Sequence, residues 1–284
     1  MYHIIIPIDF SDESIKGLEL AMLFAKKIEC EIRMVYVRKK SNDFNPGTRE
    51  EELRFAKKQF EQIKETYQPH LPPGIILKYV IRTGRIYREI VAQANAFNNS
   101  FIVASTHGAS GFEKFFIGSN AFKIISATNK PVITIRGSKI PKRIKKIVLP
   151  IDITADTRQK VPFTVELAKW FNAEIHVVTV TSLKTDDIVK KLNAYSNQVC
   201  EYIESKGINV KNDSLIGSNL TDIVIEYAKK EKADLVSIMT EQSKDVSNFV
   251  MGSYAQQMLN KANIPVMSTN PKELHIGGAF RTQG

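Results

Sequence analysis

The chain of 284 residues, 43% hydrophobic and 25% charged, is long enough for two domains and has the composition of a folded globular protein, which excludes disorder. No apolar stretch approaches membrane-spanning length, and the opening residues reach Asp9 without a basic, then apolar, leader, so a cytoplasmic protein is expected. The net charge of +10 permits contact with anions, but the cations are dispersed and no aromatic platform interleaves them, which disfavours nucleic acid as a partner.

The first predicted element is a buried strand over residues 3–7. Ser11 then supplies an N-cap, Asp12 and Glu13 suit the positive helix terminus, and Ile15, Leu18, Met22 and Ala25 draw an apolar stripe at helical spacing. A second strand follows over 31–37, a polar loop over 41–48, and a long amphipathic helix over 50–67. Beyond these come a strand over 75–81, a helix over 86–96, a strand over 101–105, a helix over 119–128 that stops before Pro131, and a fifth strand over 132–135. Short apolar runs alternating with helical periodicity indicate βαβ units and a mainly parallel sheet.

The same series then begins again. Lys146-Ile-Val-Leu-Pro150-Ile151-Asp152 repeats His3-Ile-Ile-Ile-Pro7-Ile8-Asp9 at a shift of 143, which also sets Val180 on Val37. Farther on, Met251-Gly252-Ser253-Tyr254-Ala255 repeats Ile117-Gly118-Ser119-Asn120-Ala121 at a shift of 134, so the second copy is nine residues shorter, and the polar loop at 41–48 is the expected place. The reading is of domains over 1–138 and 144–270 with a tail over 271–284. The basic run Lys139, Lys142, Arg143, Lys145 and Lys146 between the domains reads as a solvated linker, and Pro162 implies that the second copy's first helix is kinked or starts late.

Between the fourth strand and fourth helix, thirteen positions separate Ser105 from the turn at Gly118, where such a loop usually needs 2 to 6. Gly108, Gly111 and Gly118 let backbone amides approach an anion, and Gly118-Ser119 opens a helix whose N–H groups and dipole favour phosphate. In an open parallel sheet the crevice lies at the carboxyl ends of the strands, where Pro7, Ile8, Asp9 and Val37 also arrive.

These residues resemble the universal stress protein fingerprint G-x2-G-x9-G-[ST], with Gly108, Gly118 and Ser119 in register. The opening Ile-Pro-Ile-Asp, Pro131-Val132 before the final strand and the tandem arrangement match as well, so the resemblance covers about residues 1–270. It implies two tandem flavodoxin- or Rossmann-like domains of the adenine nucleotide alpha-hydrolase-like class, each a five-stranded, mainly parallel sheet flanked by helices. It further implies ATP, with or without Mg²⁺, in the first copy. Asp9 and the backbone around Ile8 and Val37 would contact the adenosine, Ala104 and Ser105 would line base and ribose, and Gly108, Gly118, Ser119 and Asn120 would hold the phosphates. The departure is Ser105, which stands at the fingerprint's first glycine and would either narrow the ribose site or add a hydrogen bond.

The second copy departs further: Met239-Thr240-Glu241-Gln242 replaces the first two glycines and only Gly252-Ser253 survives. A carboxylate at Glu241 opposes a phosphate there. No GxxxxGK[ST] or GxGxxG is present, which disfavours a P-loop NTPase or a dinucleotide enzyme, and His275-Ile-Gly-Gly278 in the tail is a chance likeness to an adenylate-transfer motif. Cys30 and Cys200 lack CxxC spacing and read as packing residues; His3, His70 and His176 lack ligand spacing. Arg82, Arg85 and Arg88 either assist phosphate binding or form a solvated helix face, and His107 either donates to phosphate or makes a structural bond.

The expected function is therefore an adenine-nucleotide-binding regulatory module of the stress response acting on a protein partner, with no catalytic residue nominated. An unoccupied interaction scaffold is the alternative, and a slow ATPase ranks third. The two copies are expected to pair through their last strands as an intramolecular pseudo-dimer, the whole chain being a monomer or a dimer of such units.

Overall fold

The computed structural model describes residues 1–38, 46–106, 117–137, 140–240 and 251–271. The first copy runs β1 (Tyr2–Pro7), α1 (Asp12–Ala25), β2 (Cys30–Arg38), α2 (Pro46–Tyr67), β3 (Ile76–Thr83), α3 (Ile86–Asn95), β4 (Ser100–Ser105), α4 (Ser119–Ala127) and β5 (Val132–Ile135). The second runs β6 (Lys146–Ile151), α5 (Val161–Phe171), β7 (Glu174–Thr181), α6 (Asp186–Ser205), β8 (Val210–Ile216), α7 (Leu220–Lys230), β9 (Leu235–Met239), α8 (Ser253–Lys261) and β10 (Val266–Thr269).

All ten strands join one sheet in the order β3-β2-β1-β4-β5-β10-β9-β6-β7-β8. Every neighbouring pair is parallel except β5 and β10, which meet antiparallel with Met267 opposite Ile133 and so close the seam between the copies. Each copy is doubly wound, and its chain reverses direction across the sheet between β1 and β4 in the first and between β6 and β9 in the second. Ligand crevices open at such switch points, beyond the carboxyl ends of the strands.

The central strands are covered on both faces, which is why they read as continuous apolar runs: Ile4, Ile5 and Ile6 are all fully buried. Two core layers result, one under α1, α2, α5 and α6, the other under α3, α4, α7 and α8, and each runs across the seam. The single tryptophan is part of that continuity, Trp170 of α5 meeting Tyr2 edge-on at 4.9 Å. Cys30 is buried in the first layer, and burial pushes its thiol up to about 11, the behaviour of a packing residue.

Ser11 caps α1 as expected, its hydroxyl accepting the Ser14 N–H at 3.2 Å. Pro162 lies in the first turn of α5, where a missing N–H costs nothing, and a 3₁₀ turn over Ala155–Arg158 fills the stretch that is helical in α1. The nine-residue difference is not confined to 41–48. The connection from β2 to α2 takes residues 39–45 against 182–185 in the second copy, and that from α2 to β3 takes 68–75 against 206–209. The remaining two residues are in the helix itself, 22 residues in α2 against 20 in α6. In the linker Lys142, Arg143 and Lys145 are exposed, while Ile144 between them is buried and anchors the segment; Lys139 lies outside the described residues.

Candidate functional site

The carboxyl ends of β1, β2 and β4 and the start of α4 enclose a cavity of about 400 Å³. Nine of the ten residues expected at the site line it: Pro7, Ile8, Asp9, Val37, Ala104, Ser105, Gly118, Ser119 and Asn120. The tenth, Gly108, lies outside the described residues, as do His107 and Gly111. Ser14, Val35, Tyr36, Ile86, Thr106, Ala121 and Ile124 complete the lining, and neither Arg82, Arg85 nor Arg88 contributes. Of the unforeseen residues, Ile86 had a signal in the repeat, since Leu220 stands 134 positions later in the matching cavity.

The floor of the site is a turn held by its own polar groups. Asp9 Oδ1 accepts the Ser11 N–H at 3.1 Å and the Ser11 hydroxyl at 2.5 Å, and the Asp9 N–H reaches Ser14 Oγ at 3.4 Å. Between them Phe10 adopts φ +64°, a left-handed conformation costly for an aromatic residue, with its ring packed on Tyr36 and Phe60. This strain beside Asp9 left no mark in the sequence.

At the opposite wall, the Gly118 N–H is taken by Thr106 O at 2.7 Å, so it is not available to an anion. The expectation for Gly118 thus needs revision: its φ of −60° suits any residue, and what it contributes is the lack of a side chain. The available donors are the next three amides, of Ser119, Asn120 and Ala121, which helix geometry leaves without intrahelical acceptors, the first helical bond running from Phe122 N–H to Gly118 O. Apolar walls at Ile8, Val37, Ile86 and Ile124 face a polar end at the helix N-terminus, an arrangement suited to a ligand with a flat apolar part and an anionic tail.

The second copy keeps the hydrogen bonds of the turn, without a left-handed residue at Ile153, and closes the space. Asp152 Oδ1 accepts from Thr154 N–H, and the Asp152 N–H reaches Thr157 Oγ1 at 3.1 Å, repeating the Asp9 bonds atom for atom. The cavity beside it is only about 180 Å³. Its lining explains why: Ile238 replaces Ala104, Met239 replaces Ser105 and Tyr254 replaces Asn120. Lys160, at the position of Gly17, is 2% exposed and also lines it, its ammonium donating to Thr157 O at 2.5 Å and Thr157 Oγ1 at 3.2 Å. Burial lowers the Lys160 amine to about 8, against a partial restoring pull from Asp152. Glu241 and Gln242 lie outside the described residues.

Two histidines away from the site are packed against aromatic rings: His3 stacks on Phe97 with ring centres 3.6 Å apart, and His176 Nδ1 shares a hydrogen bond with Tyr227 Oη at 2.9 Å. Among the described residues no group of three or more His, Cys, Asp or Glu is placed to hold a metal, and no helix is long and apolar enough to cross a membrane.

Comparison with known proteins accounts for the doubled architecture. The profile described as "Universal stress protein family" matches residues 1–136 and again 143–269. The chain belongs to the universal stress protein family. Universal stress protein MJ0531 of Methanocaldococcus jannaschii is 26% identical over 137 residues, covering 43% of this chain and 80% of that one. A universal stress protein from Archaeoglobus fulgidus shares the fold nearly end to end, with a TM-score of 0.78 at 19% identity, covering 94% of this chain and 98% of its own. A further A. fulgidus universal stress protein, solved in complex with dAMP, matches 46% of this chain and 99% of its own at 20% identity and a TM-score of 0.37.

Proposed function

We propose that this universal stress protein is a regulatory module that binds one adenine nucleotide, ATP with or without Mg²⁺, in its first copy alone, and that occupancy alters its surface for a protein partner. The observation that carries the reading is the contrast between two bays built on the same turn, about 400 Å³ in one and about 180 Å³ in the other. Small-molecule sites span roughly 300–1,000 Å³, so the first bay has room for a nucleoside and the second does not. Adenine and ribose lie between Ile8, Val37 and Ala104, Asp9 faces the ribose hydroxyls, and the amides of Ser119, Asn120 and Ala121 receive the phosphates. A carboxylate suits ribose because it accepts hydrogen bonds from vicinal hydroxyls, and the free amides suit phosphate because they donate without a counter-charge. Mg²⁺, when it accompanies ATP, neutralises phosphate charge.

Calorimetry with Mg·ATP tests this directly. The expected stoichiometry is one per chain; two per chain, or no heat and no thermal shift at millimolar ATP, would overturn it. A mass spectrum of denatured, freshly purified protein gives an independent check, since a copurified ligand would appear as an adenine nucleotide.

A further inference from the structure

We propose that the second copy acts as a clamp on α4, with Asn260 and Asn270 as positioning residues for the phosphate-facing amides of the first copy. The proposal rests on the nucleotide reading above.

Helix α4 is gripped at both ends from across the seam. At its start, the Ile117 N–H donates to Asn260 Oδ1 of α8 at 2.5 Å, one residue before the Gly118 N–H that Thr106 O holds at 2.7 Å. Two consecutive amides are thus fixed, one by each copy, immediately before the three that face the cavity. At the far end, Asn270 Nδ2 donates to Ile125 O at 2.6 Å and to Thr128 O at 2.7 Å, occupying carbonyls that a helix C-terminus leaves open. Asn270 is 2% exposed, and its own Oδ1 accepts from the Thr240 hydroxyl, so its amide is oriented as well as buried.

At the helix start the grip runs one way, since Ser126 stands where Asn260 does and carries no amide group. The Ser126 hydroxyl is buried without a hydrogen-bond partner among the described residues, so it makes no matching bond to Met251, the counterpart of Ile117. A copy with a closed bay thus retains side chains that order the open bay of its neighbour. Amides that stabilise an anion do so in proportion to how firmly they are held before it arrives, and groups outside the site do that holding.

The test uses full-length protein and Asn260→Ala, a half-buried position, with the thermal midpoint checking that the fold is kept. Asn260→Ala should weaken Mg·ATP roughly five- to tenfold and leave adenosine, which has no phosphate, within about twofold. Unchanged Mg·ATP affinity, or an equal loss for adenosine, would overturn the clamp. Hydrogen exchange in ligand-free protein separates this from the nucleotide reading. Exchange at the Ile117 amide should quicken at least about tenfold in Asn260→Ala and stay slow in Asn260→Asp, which keeps an oxygen acceptor. If wild type binds no nucleotide, the functional reading fails, and the exchange result still decides the clamp, an unchanged rate refuting it.

Discussion

Lys160 makes the closed bay measurable. Burial lowers its amine from an ordinary value of 10.5 to about 8, which at about 1.4 kcal/mol per tenfold change in proton affinity is a penalty of roughly 3–4 kcal/mol for carrying the charge in the folded state. The folded pKa is depressed, so between pH 8 and 10.5 the unfolded chain holds more protons than the native one. Stability attributable to Lys160 therefore rises with pH across that window, and the penalty is full below it. About 2 kcal/mol is recovered between pH 7 and 9.5. Lys160→Met keeps the volume and removes the charge, so it should stabilise the protein at pH 7 by about 1–3 kcal/mol, the lost bonds to Thr157 offsetting part of the gain. That advantage should shrink steadily towards pH 9.5. Urea unfolding of both proteins at half-unit steps of pH measures it, and the difference cancels groups common to both, including phenols such as Tyr227 that desolvation and Asp213 push upward. A difference that stays constant from pH 7 to 9.5 would refute the buried, perturbed amine.

Gly118→Val should weaken Mg·ATP at least about tenfold while costing no more than about 1 kcal/mol of stability, since the backbone there is extended; Gly252→Val should leave nucleotide affinity alone, and equal losses by calorimetry would abolish the asymmetry. Gly17→Ala should raise thermal stability by about 0.5–1 kcal/mol, because a methyl there would lie 3.4 Å from Ser105 N, an ordinary contact, and a mid-helix glycine is entropically costly; a drop in midpoint would show that β4 cannot yield. Residues 1–138 expressed alone leave β5 without β10 and should dimerise or aggregate, whereas a clean monomer by light scattering at micromolar concentration would show that the fifth strand does not need its partner.

Much of the architecture was open to reading because it depends on local rules that the chain states twice. Alternation of apolar runs with helical stripes identified the strands and helices, Ser11 marked a helix start, Pro162 left a kink or a late start open and the late start is found, and the convergence of strand ends brought Asp9, Val37 and Ser105 to one cavity. What escaped depends on contacts distant in sequence. Lys160, a charged residue two positions before a proline, has the look of a surface side chain, and only its alignment with Gly17 hints that it turns inward. Asn260 and Asn270 resemble ordinary polar positions until α4 is placed beside them. Phe10 gives no sign of positive φ: the same Asp-centred hydrogen bonds recur around Asp152 without a left-handed residue, and what differs at Phe10 is its packing on Tyr36 and Phe60.

The antiparallel join of β5 to β10 has an evolutionary reach. In a dimer of identical single domains every substitution appears on both sides of the axis, and dilution can part the subunits. Here both sides belong to one polypeptide, so the pairing holds at any concentration and always unites one of each kind. Drift in one bay is then invisible to the other: Ile238, Met239, Tyr254 and Lys160 can accumulate without touching the site around Asp9, while Asn260 and Asn270 specialise toward their neighbour. Fusion of this sort lets a symmetric pair become two unlike halves, one with an open bay and one with a bay largely filled by its own side chains.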